Sequence, residues 1–455
     1  MQRSQRPPAG LQHGQTLVLA LVLLFGATLG LLFMFSTGQV VATKLRLTNA
    51  ADAAAYSAAL WRARVLNYDA YSNRAIIAQE VAIAQAVTLV SWVKYFQTLN
   101  KTIGEVASVA FPPAAVIAEI VDEVIAAARE ATEDSAALEI WLRGSAGTGY
   151  KEMLATSQEI LHLSAGTFGL GAVANEVARA SDPHFFAFAL PDEHQFDALT
   201  RRYESDDDRQ RLEQLVMDSL DEFVTGPRGV DLRLPLPSGC AGISADPDQW
   251  TAWLRKRGGT IMAPDLERWE AADTASLHDF TKRGLFSTGC RDIESMPLGW
   301  GAAESTDKGM LGSLQEDPGN VRKNPVAAER ASDEIDEQGS ANLDTYAGIT
   351  RVRELAYESL ANKRFPVSPV AVLARVESAN VPTADRLQAA GSRLRLSDQF
   401  AGDRIWSLGA AEVYFRRPAG DTPRLEFASL YNPYWQVRLR EPTEFERTLA
   451  DSYAR

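Results

Sequence analysis

The residue types most often used for chemistry are sparse in this chain, and their spacing suits chemistry poorly. Its five histidines are His13, His162, His184, His194 and His278. None makes a His-Glu-x-x-His motif or another close metal pair. His184 and His194 both fall in SDPHFFAFALPDEH, with Asp182, Asp192 and Glu193 beside them. Such groups could hold a metal or exchange a proton. The plainer reading is polar loop residues flanking a buried cluster of Phe185, Phe186 and Phe188. The run Asp206-Asp207-Asp208 reads as the solvated start of a helix, with a calcium site as the sharper alternative.

Two glycine motifs fail on inspection. GSAGTGYK, from Gly144 to Lys151, lacks the Gly-Lys-Ser/Thr ending that brings an ammonium and a hydroxyl to phosphates and magnesium. Tyr150 intervenes, Glu152 takes the hydroxyl position, and a helix-breaking turn is the plain reading. Gly169-x-Gly171-x-x-Ala174 echoes a dinucleotide fingerprint, but no hydrophobic strand precedes it. The chain has no Gly-x-Ser-x-Gly elbow and no Asp-x-Ser-x-Ser metal-adhesion signature. The sequence therefore assigns no catalytic, cofactor-binding or metal-ligating residue and calls for no cofactor.

Cys240 and Cys290 are the only cysteines, with no Cys-x-x-Cys pair. In an oxidising compartment they predict one disulfide, whose loop closure contributes about 3–4 kcal/mol. Two buried thiols are the alternative.

The elements around these residues begin with an anchor. Leu17 to Phe35 reads LVLALVLLFGATLGLLFMF without a charge. At about 1.5 Å per residue, roughly 19 residues cross a bilayer core of about 30 Å. A cleaved secretory signal is the competing reading, since Arg3 and Arg6 precede the run. No convincing small-x-small site follows, and neither glycine nor proline occurs between Gln39 and Ile103. The helix therefore continues past the lipid. Lys44 and Arg46 balance Arg3 and Arg6, so charge alone leaves the orientation open. Gly26 and Gly30 could mark a close helix contact or be ordinary membrane glycines.

Beyond the anchor, Asn49 to Leu60 (NAADAAAYSAAL) is small on all sides and would let another helix approach. Ile76, Ile83, Val87 and Val90, with Ile77, Val81 and Ala84 beside them, form a stripe that needs a cover. Gly104 and Pro112-Pro113 end this helix. Further helices are expected at Val116–Leu142, at Lys151–Arg179 with a break near Gly166–Gly171, and at Asp206–Phe223. In the last, Leu212, Leu215, Val216 and Leu220 point inward.

From Gly226 to Ala303 the richness in Gly, Pro and Trp predicts irregular loops around Trp250, Trp253, Trp269 and Trp300. Glu304 to Leu343 reads as a polar connector. Val367–Glu377, Ala410–Phe415 and, more weakly, Leu425–Leu430 read as strands of a small antiparallel sheet.

The fold class expected is α+β, mainly α. In order, it has a tail over 1–14, a membrane helix over 15–37 and a helical stem and body over 38–225. The irregular region over 226–303, the connector over 304–343, a β-containing domain over 344–442 and a tail over 443–455 follow. The 46% apolar content supports a sizeable core. A net charge of -13 and the lack of a basic stripe exclude a general nucleic-acid binder.

Gly14-Gln15, the apolar run and KLRLTNAADAAAYSAAL (Lys44 to Leu60) together resemble the N-terminal region of TadG-like proteins of tight-adherence (Flp) pilus assembly. The block in question is Leu47, Asn49, Ala50, Ala51, Asp52, Ala53, Ala54 and Ala55. SLYNPYWQVRL, Ser429 to Leu439, is similar to the ending of some of these proteins. The resemblance implies a single-pass inner-membrane protein with a cytoplasmic N-terminus and a periplasmic body. Its partners would be the lipid bilayer and other pilus-assembly or minor-pilin-like membrane proteins.

It also implies a structural role without catalysis. A membrane-anchored periplasmic binding or scaffold protein is the first alternative, and a periplasmic enzyme the second. The pattern departs from related minor pilins at Leu19, where those carry a glutamate, and from TadG proteins that carry a metal-adhesion domain.

Overall fold

The computed structural model describes residues 15–107, 148–191, 196–202, 206–226, 228–284, 289–305, 314, 316–338, 346, 348–349, 352–356, 367–383, 403–418 and 427–454. The expected helix Val116–Leu142, Gly14, His13, His194, Asp192 and Glu193 lie outside them. The expected α+β class, mainly α, is what the chain adopts.

Among the described residues its longer helices in order are α1 (Gln15–Ala107), α2 (Thr148–Ala165), α3 (Thr167–Ser181), α4 (Asp206–Met217), α5 (Pro325–Gln338) and α6 (Glu444–Ala454). The strands of its larger sheets are β1 (Phe185–Ala189), β2 (Val230–Pro237), β3 (Thr251–Met262), β4 (Trp269–Lys282) and β5 (Cys290–Glu304). After these come β6 (Val367–Glu377), β7 (Arg404–Phe415) and β8 (Trp435–Leu439).

The chain divides into two units that interleave in sequence rather than following one another. The first holds 1–69, 159–201 and 355–455, and the second holds 70–158 and 202–354. Helix α1 supplies a length to each.

In the first unit the sheet order is β1-β6-β7-β8, antiparallel throughout. Side chains alternate between its faces. One face carries Val370, Val372, Ala374 and Val376 of β6 with Ile405, Ala411, Val413 and Phe415 of β7. On it lie α1, through Leu47, Ala50, Ala51, Ala54, Ala55, Ala58 and Ala59, and α3, through Leu170, Ala174 and Ala178. The opposite face, with Leu373 and Leu408, is covered by Leu449 and Ala450 of α6. The expected tail is therefore a covering helix. No strand forms over Phe427–Leu430; the third strand of the expected sheet is Trp435–Leu439 instead.

In the second unit the order is β2-β3-β4-β5, an antiparallel meander. This corrects the expectation of irregular loops over 226–303. Gly299 and Gly301 do not mark turns; they mark where α1 presses on the sheet. A Cβ on Gly301 would stand 2.3 Å from the Tyr95 nitrogen, and one on Gly299 2.9 Å from Leu99. The core joins Ile76, Ile83, Ala84 and Val87 of α1 to Trp269, Ala271 and Ala303.

The expected connector is also ordered in part. Helix α5 buries Ala328, Ala331 and Ile335 with Ala272 and Ala302, on short alanine side chains that sequence polarity hides. Helix α4 ends at Met217, short of the expected Phe223. It buries Leu212 and Val216, while Leu215 is exposed. The break between α2 and α3 falls at Gly166, as the sequence suggests.

Cys240 and Cys290 form a disulfide across a sequence separation of 50. It ties the turn after β2 to the first residue of β5. Serine at both positions should lower the second unit's stability by about 3–4 kcal/mol, read as a shift of its urea midpoint.

Candidate assembly segment

The site is a length of helix rather than a cleft. From Leu17 to Phe35 the apolar side chains of α1 face outward; Leu17, Leu21, Leu24, Phe25 and Leu31 are all exposed. The hydroxyls within and just after this run are satisfied by the helix itself, Thr28 donating to the Leu24 carbonyl at 2.8 Å and Thr37 to that of Phe33 at 2.9 Å. Lipid demands such internal pairing. The helix is long and apolar enough to cross a membrane. Gln15 is its first described residue, and Leu19 is among the exposed ones. Space around Gly26 and Gly30 is open.

Above the span, small side chains form a close contact. Ala50, Ala51, Ala54, Ala55, Ala58 and Ala59 are fully buried in a core that they share with strands of the first sheet and with α3. The closest approach is at Gly409 of β7, where an added Cβ would lie 2.4 Å from the Ala51 carbonyl oxygen. Asn49 and Ala53 face away and are exposed, and Asp52 is half-buried. Burial, aided by the charge of Glu441, raises the pKa of Asp52.

Polar contacts fix the register of helix on sheet. The Lys44 ammonium donates to the Trp406 carbonyl, and the hydroxyls of Thr48 and Ser407 meet at 2.9 Å. Arg62 is 1% exposed. Its guanidinium donates to the Ser368 hydroxyl at 2.7 Å and to the carbonyls of Pro369 at 3.0 Å and Ala165 at 3.3 Å. It also stacks on Phe196 at 4.5 Å. The Asn67 carboxamide pairs with both the N–H and the carbonyl of Trp435 at 3.0 Å, as a neighbouring strand would. The closing motif SLYNPYWQVRL is thus gripped by the stem.

Residues 14–63 match the model of a family described as “Putative Flp pilus-assembly TadE/G-like”. The N-terminal segment is TadE/G-like. No curated protein and no solved structure matched the chain. In this structure the TadE/G-like stretch runs from the foot of the membrane span to the end of the alanine-lined contact, and Arg62 stands almost at its end.

Among the described residues the sequence candidates for chemistry do not converge. His184 is exposed at the foot of β1, its N–H held by Asp182 at 2.9 Å. Its neighbour Phe185 is buried while Phe186 is exposed. Among the described residues no group of three or more His, Cys, Asp or Glu could hold a metal. Asp208 is buried and paired with Arg211 at 2.7 Å, at the start of α4. Gly169 and Gly171 lie inside α3, so that motif forms no phosphate cradle; Tyr150, Lys151 and Glu152 lie inside α2, and Gly144 to Gly147 lie outside the described residues.

Sequence reasoning missed three buried polar clusters. In the first unit, His162 meets Asp69 at 2.5 Å and stacks on Phe196. In the second, Lys151 of α2 pairs with Glu80 of α1 at 2.6 Å, and Tyr346 donates to the same carboxylate at 2.9 Å. Burial and the Glu80 charge push the Tyr346 phenol well above its usual range. Asp273 gathers Lys256, Arg228 at 3.5 Å and the Ser91 hydroxyl at 2.9 Å. Burial lowers the Lys256 ammonium although Asp273 opposes it. No local spacing announces these clusters, because each partner arrives from a different element.

Proposed function

We propose that this protein is an anchored structural component of a Flp-type pilus or related secretion apparatus, working through protein contacts without catalysis. One observation carries the reading. The TadE/G-like match at 14–63 covers both the span and the alanine face on which the first unit is built. A signature spent on span and stem suits a part that positions a body at a membrane. The body lies in the periplasm of a diderm bacterium, with the N-terminus cytoplasmic; the Cys240–Cys290 bridge suits that oxidising side. Its partners are the bilayer and other membrane proteins of the same apparatus.

In-frame deletion of the gene is expected to abolish surface pili, and the intact gene to restore them. Unchanged piliation would sink the proposal. For topology, alkaline phosphatase fused after Ala454 should be active, and an inactive but stable fusion would reverse the assignment.

A further inference from the structure

The foot of the first sheet can be placed against the bilayer by two rulers. Along α1, Lys44 stands nine residues past Phe35, about 13 Å. From Lys44, which holds the Trp406 carbonyl, to Asn67, which holds Trp435, the helix rises about 34 Å. From Trp406 to Phe415, the residue paired with Trp435, β7 rises about 31 Å. The two rises agree, so β7 runs beside α1 and points away from the membrane. Arg404 and its partner in register, Glu377, then lie about 7 Å below Trp406. That level is about 6 Å beyond Phe35, inside a headgroup layer some 5–8 Å deep.

The side chains at this foot suit such a layer. The Arg375 guanidinium lies over Phe186 at 4.9 Å and Trp406 at 5.7 Å. Phe186 is 39% exposed. Lys44, His184 and Arg404 are also exposed. Glu377 pairs with Arg404 at 3.1 Å, and Asp403 is exposed beside it. Arg404, Glu377 and His184 fall at the headgroup level, and Phe186, Arg375 and Trp406, which share one register, stand about 7 Å above it.

We infer that this foot of the first sheet, at Arg404, Glu377 and His184, rests on phospholipid headgroups of the leaflet from which α1 emerges. Arg404 and His184 stand at the level of the lipid phosphates, and the rings of Trp406 and Phe186 stand about 7 Å above them. The inference rests on the anchor reading, and it goes further: the first unit is seated on the lipid rather than held clear on its stem.

The test uses the full chain in nanodiscs, with single cysteines at Leu24→Cys, Arg404→Cys and Arg416→Cys, each carrying a bimane. Nitroxide lipids, labelled on the headgroup or the acyl chain, are the quenchers. Acyl-chain nitroxide should quench position 24. Headgroup nitroxide should quench position 404 strongly and position 416, at the far end of β7, hardly at all. His184→Cys should behave as 404 does and guards against a disturbed Arg404 variant. Loss of quenching at 404 and 184, with 24 still quenched, would overturn the seated body, and a protein cover over the foot would give that result. Absence of quenching at 24 would instead remove the anchor itself.

Discussion

Lys151→Met should destabilise the second unit by about 3–5 kcal/mol, the usual penalty for breaking a fully buried ion pair from one side. Lys151 and Glu80 are 1% and 0% exposed, and their contact is 2.6 Å. Methionine fills a similar volume, so the loss reports charge rather than packing. Glu80 would keep hydrogen bonds from the Tyr346 hydroxyl and, at 3.4 Å, from the Trp269 ring N–H, and would lose its cation. A carboxylate left so must protonate or draw in water. Adding Glu80→Gln should recover much of the stability, because the uncompensated charge is then gone. Urea unfolding of the solubilised protein, followed by tryptophan fluorescence, measures both variants. A single mutant within 1 kcal/mol of the parent, roughly the worth of an exposed pair, would contradict the burial assigned to Lys151.

Gly409→Val should be nearly as severe in the first unit, about 3 kcal/mol by overpacking. The obstacle is backbone, the Ala51 carbonyl and the Asp52 nitrogen, which cannot rotate away as a side chain would. Relief requires α1 to lift from β7, breaking the Thr48–Ser407 contact and loosening the alanine face around it. Ala51→Leu attacks the same interface from the helix side and should act in the same direction. Thermal unfolding with a probe in each unit should show the loss in the first unit alone. Equal loss in both would mean that the substitution acts by another route.

The anchor, the unbroken helix past it and the disulfide were legible in the sequence because each rests on a local rule. A bilayer needs an uncharged run from Leu17 to Phe35, helix continuity needs only the absence of glycine and proline, and two lone cysteines have one pairing. The second sheet was illegible for a physical reason. Gly299, Gly301 and Gly258 look like loop residues, yet each is a place where something large comes close: Leu99, Tyr95 and the Asp273 carboxylate.

Strands β3 and β4 also carry half-buried Lys256 and buried Asp273 and Glu270, which hides the alternation that identifies a strand. The alanine block was recognised as a contact surface, but not its partner. Small residues state that something approaches and do not say what; here β7 comes close at Gly409, and α3 shares the same core. The same limit concealed Arg62 and Asn67, whose partners on the sheet lie about 300 residues or more further along the chain.

The interleaving of the two units sets an order of maturation. The second unit has all its residues once Glu354 has been synthesised, and both cysteines precede that point. The first unit owns the helix that enters the lipid earliest, yet its sheet lacks three of four strands until residues 367–439 arrive. Its alanine face must therefore wait for that sheet through most of synthesis. For that interval an apolar ribbon stands beside the apolar run that precedes it, and whatever handles the nascent chain meets this ribbon before the chain's own sheet does.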